Sequence, residues 1–218
     1  MEYASSNSIK REVVIRLMTG NELIDSKVAF NFAKQVVEFD KTDNWLLSKA
    51  YVIIARNEFE NGNYAKSKVT FKQVVGLSDY DEGAEAKYYL AYLTYLDENL
   101  TLAEQMIFEL AEKYSSDYFI AKAFILLADI YVAQENNFQA KATLESIIEN
   151  HNGDDLVNLA RKKWEQIVEK EKVVTPEVEE EFYIDISEDE IVYEEEVRDE
   201  IDEDYIVEIP DSLKVKSD

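Results

Sequence analysis

The chain has no cysteine, and its 218 residues include only two prolines, five glycines and one histidine. Without cysteine there is no disulfide framework, no thiolate zinc site and no cysteine nucleophile. A lone histidine, His151, leaves most hydrolytic and metal chemistries without their usual residue. All-β architectures need turn residues roughly every 8–12 positions, so this shortage of glycine and proline argues against a sandwich or barrel. Positive charge is scarce too: 23 Lys and Arg face 47 Asp and Glu, a formal net charge of −24. Phosphate neutralisation needs clustered basic residues, so no nucleic-acid partner is expected. No stretch approaches about eighteen apolar residues, and no membrane insertion is expected. The first residues lack the basic flank and apolar run of a signal peptide. Taken at face value this predicts a cytoplasmic protein. A piece of a longer chain exported to a bacterial periplasm or envelope would read the same way, so the compartment stays open. What the chain has in quantity is apolar surface, at 46% hydrophobic residues, enough for a core.

Composition changes sharply near Val174. Residues 175–218 hold nineteen acids and three bases (Arg198, Lys214, Lys216), a net charge of −16, which leaves −8 for residues 1–174. Both prolines, Pro176 and Pro210, lie in this tail, which is expected to be mostly irregular. A body without proline reads as helices, since proline inside a helix costs about 3 kcal/mol. Apolar stripes at three- and four-residue steps support that reading: Leu46, Ala50, Ile53, Ile54; Ala86, Tyr89, Leu90, Leu93; Ala103, Met106, Ile107, Leu110; Phe124, Leu127, Ala128, Tyr131. Cap and turn residues separate them, among them Asn61-Gly62-Asn63, Asp97-Glu98-Asn99 and Glu135-Asn136-Asn137. The expected fold is all-α, a series of antiparallel helix pairs.

The stripes repeat. Ala55, Ser67, Phe71 and Val74 recur in the same spacing as Ala91, Ala103, Ile107, Leu110 and as Ala128, Ala140, Leu144, Ile147, with leading alanines 36 and 37 residues apart. Small residues let paired helices approach closely, and the bulky ones fill the next groove. A period of this length, with one small residue in each helix, resembles the tetratricopeptide repeat (TPR), whose unit is about 34 residues. The family's Leu-small pair in the first helix matches Ile54-Ala55, Leu90-Ala91 and Leu127-Ala128; its second-helix aromatic matches Tyr64, with Leu100 and the displaced Phe138 in the later units. The terminal proline of the repeat is absent and each unit is two or three residues longer. The sequence in this respect resembles the divergent, slightly longer repeats of bacterial envelope-assembly and large surface-associated repeat proteins more than the consensus. The resemblance implies a right-handed α-solenoid. Its parts are a degenerate helix pair at 1–42, three repeats at 43–150, a capping helix at 151–174 and the acidic tail at 175–218. Leu156, Leu159, Ala160, Trp164 and Ile167 form the cap's apolar face, with Arg161, Lys162, Lys163 and Glu165 expected to face outward.

Chemistry is sparse. Asp79-x-Asp81-x-Gly83 begins like a calcium loop, but Gly83 falls one place early and no closing Glu follows, so a helix-capping turn is the better reading. His151, in an Asn/Gly turn, reads as a solvated loop histidine. No phosphate-binding glycine loop or nucleophile elbow occurs. No enzyme activity, cofactor or metal is expected. The resemblance implies instead a scaffold that binds a peptide or helix of another protein on the concave wall of first helices. Inner-wall residues three before and one, four and five after each small residue give Val52, Arg56, Phe59 and Glu60; Tyr88, Tyr92, Tyr95 and Leu96; Ile125, Asp129, Val132 and Ala133. The candidate site is Arg56, Phe59, Tyr88, Tyr92, Tyr95 and Asp129. The Lys and Asn ladder that some family members use to clamp a terminal carboxylate is missing. A tyrosine-rich groove favours an apolar or aromatic peptide, or else the tyrosines simply pack against neighbouring units. In the tail, Phe182, Ile184 and Ile186, and later Tyr205, Val207 and Ile209, alternate with polar or other residues as a docking strand would, in cis or in trans. The competing reading is a solubilising acidic arm. A structural role is the rival function: the C-terminal end of a longer array, which apolar exposure near Val13, Val14, Ile15 and Leu17 would favour.

Overall fold

The computed structural model describes residues 2–174, which form nine α-helices and no strand. They are α1 (Glu2–Asn21), α2 (Ser26–Val37), α3 (Asn44–Glu60), α4 (Tyr64–Leu77), α5 (Asp81–Leu96), α6 (Leu100–Lys113), α7 (Asp117–Ala133), α8 (Asn137–Asn150) and α9 (Asp154–Val174). The acidic tail, with the segments at 182–186 and 205–209, lies outside the described residues.

Local sequence accounts for where these helices begin and end. Asp25, Asp43, Asn99 and Asn136 each precede a helix and accept a hydrogen bond from a first-turn backbone N–H. The turns that close α3, α5 and α7 are the same turn three times. Gly62, Glu98 and Glu135 take left-handed φ values of 74°, 60° and 61°. The following N–H of Asn63, Asn99 and Asn136 reaches back to the carbonyl of Glu58, Thr94 and Tyr131, at 2.8, 3.2 and 2.8 Å. This is the Schellman arrangement, which satisfies carbonyls the helix end leaves open. The asparagine that completes the turn then opens the next helix.

Packing is sequential. Each helix lies on the next one along the chain, and substantial second-neighbour contact is confined to α3 on α5, α5 on α7 and α7 on α9. α3, α5, α7 and α9 therefore form one continuous inner wall, with α4, α6 and α8 outside it. A closed bundle would pack α1 extensively against α9, and no such packing is present among the described residues. The architecture is an all-α solenoid of antiparallel helix pairs, ended among the described residues by α9.

The core explains the small residues. Ala55, Ala91, Ala128, Ser67, Ala103 and Ala140 are all buried at the seams between helices. Phe71, Val74, Ile107, Leu110, Leu144 and Ile147 fill the space beyond them. Each apolar cluster is completed by the helix that follows its hairpin: Leu46, Ala50 and Ile53 of α3 close the first, Leu90 and Leu93 of α5 the second, Leu126, Leu127 and Ile130 of α7 the third. Leu156, Ala160 and Ile167 of α9 do the same for α7 and α8. The cap thus supplies what the next hairpin would have supplied.

Two details differ from the sequence reading. Lys163 does not face outward: its ammonium reaches across to Asp129 on α7, at 2.6 Å. Leu159, placed on the apolar face of the cap, is 40% exposed. At the other end of the stack, Ile9, Val13 and Leu17 leave an exposed apolar stripe on α1, while Val14 and Met18 are buried against α2 and α3.

Candidate functional site

The inner wall is built where α3, α5 and α7 pass side by side. Their turns repeat the same angular positions, so residues six and three before the small alanine, and one and four after it, fall on one stripe of each helix. On α5 this stripe carries Glu85, Tyr88, Tyr92 and Tyr95.

The aromatic residues of the candidate site are brought together. Phe59 of α3 lies 4.9 Å from the ring of Tyr89 and 5.9 Å from that of Tyr92. Tyr92 in turn stacks on Tyr88 at 6.3 Å and meets Tyr95 at 6.3 Å. Tyr88 extends the chain of rings to Phe119 of α7, at 6.4 Å. One side of this surface packs on the buried cluster beneath α5 and α7, and the other stays half-exposed. The tyrosines therefore pack against the neighbouring units and remain half-exposed. Tyr89, one place off the wall stripe, stacks on buried Phe71 with ring centroids 4.8 Å apart. Burial pushes its phenol up to about 12. Burial also raises the Tyr88 phenol, helped by Tyr89 and Tyr92.

Arg56 and Asp129 are placed differently from a pair of ligand-seeking charges. Arg56 grips both carboxylate oxygens of Glu85, with Nη2 2.7 Å from Oε2, and its Nη1 lies 3.0 Å from Glu22 in the turn after α1. Burial works against its charge, but the hydrogen bonds and fields of Glu85 and then Glu22 outweigh that and hold the guanidinium above its ordinary value. Arg56 is thus a clasp joining α1, α3 and α5. Asp129 is bound to Lys163 and ties the wall to the cap. Val52 and Ile125, expected on the wall, are buried beneath it. At the far end of the wall, Tyr95, Leu96, Leu100 and Ala133 line a recess of about 510 Å³.

Three residues on the wall were missed in the sequence: Lys49, Glu85 and Lys122. They stand six places before Ala55, Ala91 and Ala128. The repeat spacing that yielded the other wall positions would have found them. Lys122 sits over four aromatic rings, and burial lowers its pKa below the usual lysine value.

A separate cleft of about 650 Å³ opens between α7 and α8, lined in part by Ile120, Phe124, Thr143 and Ser146, with His151 half-buried at its edge. It occupies a different face of α7 from the inner wall. Among the described residues no group of three or more histidines, aspartates or glutamates is arranged to hold a metal ion, and no helix is long and apolar enough to cross a membrane.

The fold and wall define the chain as a helical-repeat solenoid. Among solved structures, it is similar to one titled "Crystal structure of MamA", at 20% identity and a TM-score of 0.43, over 69% of this chain and 91% of that one. No family model matches the chain, and no curated protein matches it.

Proposed function

We propose that this protein is a non-catalytic interaction scaffold whose inner wall holds a peptide or helix of another protein. The observation that supports the reading is the joined surface of Phe59, Tyr88, Tyr92 and Tyr95, half-exposed on the one face where successive hairpins meet. Tyrosine supplies wide amphipathic contact with few rotatable bonds, the property that makes it frequent at binding hot spots. Arg56 and Asp129 serve the site by fixing the spacing of the helices that carry these rings. The test is photo-crosslinking from a benzoyl-phenylalanine placed at position 92, compared with one at the outer residue Phe108, in the native host. A partner captured from position 92 and lost when Tyr88 and Tyr95 become serine agrees with the reading; equal capture from position 108 refutes it.

A second reading, a structural unit that stacks on further helices, draws on the stripe at the other end. Ile9 is 61%, Val13 47% and Leu17 39% exposed, with Leu23 and Ile24 beside them almost bare. Sedimentation of the full chain and of Val13→Glu distinguishes it: self-association that the charge abolishes favours stacking through α1. Docking of the segments at 182–186 or 205–209 is a further proposal on sequence grounds, tested by amide exchange of the wall with and without residues 175–218.

A further inference from the structure

Lys122 is out of balance with the other cations of the inner wall. Lys49 pairs with Glu82 at 3.0 Å, Arg56 with Glu85 and Glu22, and Lys163 with Asp129. Lys122 has neither an ion pair nor a hydrogen bond within the described residues. Its Nζ stands 4.8 Å from the ring centre of Tyr88, 5.7 Å from Tyr89, 5.8 Å from Tyr118 and 6.0 Å from Phe119. The acids whose fields reach it are already engaged, Glu85 by Arg56 and Asp155 by the Tyr118 hydroxyl. Ring faces attract an ammonium but accept none of its three N–H bonds in the way an oxygen does. The group is therefore half-dried, charged and short of acceptors, on the surface where the tyrosines face the groove.

We propose that Lys122 anchors a side-chain carboxylate of an extended partner segment, whose adjoining aromatic or aliphatic residue lies on Tyr88 and Tyr92. The proposal rests on the groove reading above and adds the chemistry of the ligand to it. Arg56 is the other cation whose field reaches Lys122, and Glu85 and Glu22 already take up its donors. That leaves Lys122 as the cation over these rings among the described residues, which matches a single internal Asp or Glu. The described body carries a net charge near −8 over residues 1–174. A run of acids would be repelled by that field, so the complementary segment has one acid between apolar neighbours. The aromatic surround excludes water from the contact and strengthens a charge-assisted bond there.

The probe is a library of random dodecapeptides displayed with neither end free, panned on the full chain. Expected is enrichment of sequences with one Asp or Glu next to an aromatic or aliphatic residue. Changing that acid to its amide weakens binding to the wild type about tenfold. Lys122→Gln binds the acid and amide forms alike, whereas Lys122→Arg keeps the preference. Because a Lys122 variant that merely loosened the fold would weaken both peptides equally, the acid-to-amide ratio isolates the anchor. A ratio near one on the wild type overturns the proposal while leaving the groove standing, provided Tyr92→Ser still abolishes binding. Enriched peptides indifferent to Tyr88→Ser and Tyr92→Ser, or no enrichment, remove the groove reading together with the anchor. Displacement of the enriched peptides by a synthetic copy of residues 180–188 would give the site to this chain's own acidic segment and overturn a foreign partner.

Discussion

The seams between hairpins and the inner wall are built from the same three helices and obey opposite rules. At the seams, Ala55, Ala91 and Ala128 are buried to the Cβ, and the identity of the residue is set by the distance between backbones. On the wall, one turn away, Tyr88, Tyr92 and Lys122 are held by ring contacts that leave them half-exposed, above a buried Glu85 that Arg56 pairs. The repeat conserves size where helices touch and lets chemistry vary where they part. That separation lets wall residues change without altering the core.

The separation can be broken most severely at a seam. Ala128→Phe, or Ala91→Phe, puts a ring where no side-chain space exists and is expected to cost about 3 kcal/mol, read as a lower denaturant midpoint. Melts matching the wild type would mean the seams are not where the small residues meet. The next largest effect crosses from wall to seam: Arg56→Ala leaves Glu85 buried without its partner and costs about 2 kcal/mol, less than a fully enclosed pair because Arg56 keeps some contact with water. The double change Arg56→Ala with Glu85→Ala recovers part of that loss, and a double-mutant cycle measures it. Ser67→Ala works in the other direction. The Ser67 hydroxyl is buried without a hydrogen-bond partner among the described residues, at the seam position where Ala103 and Ala140 stand in the later units. Removing it stabilises by about 1 kcal/mol in the same assay. Smallest is Glu98→Gly, which relieves a left-handed backbone that glycine already occupies at the equivalent Gly62. Its gain is about 0.5 kcal/mol, visible as a slight rise in Tm.

The seams were legible in the sequence because they depend on local facts. Small side chains at 36- and 37-residue intervals, cap residues between stripes and the lack of proline all act within a few turns of chain. The aromatic part of the wall was legible for the same reason, since Tyr88, Tyr92 and Tyr95 share one helix. What could not be read is how charges pair across helices. Arg56 meets Glu85 and Glu22 at separations of 29 and 34 residues, and Lys163 meets Asp129 at 34. Those partners are chosen by the offset between stacked helices, which no short-range pattern carries. Lys122 belongs to a third class: its place follows from the repeat spacing, while its lack of an ion pair among the described residues depends on how the acids of neighbouring helices are engaged.

The thrice-repeated turn at Gly62, Glu98 and Glu135 has a consequence for how such a chain can change in length. Because α3, α5 and α7 each exit through the same bend into the same asparagine, a cut at one bend can be ligated to any other with the geometry of the junction intact. A tandem duplication or deletion of one 36-residue block, such as residues 63–98, would join like to like. The array could in this way be lengthened or shortened by recombination while both of its ends stay as they are.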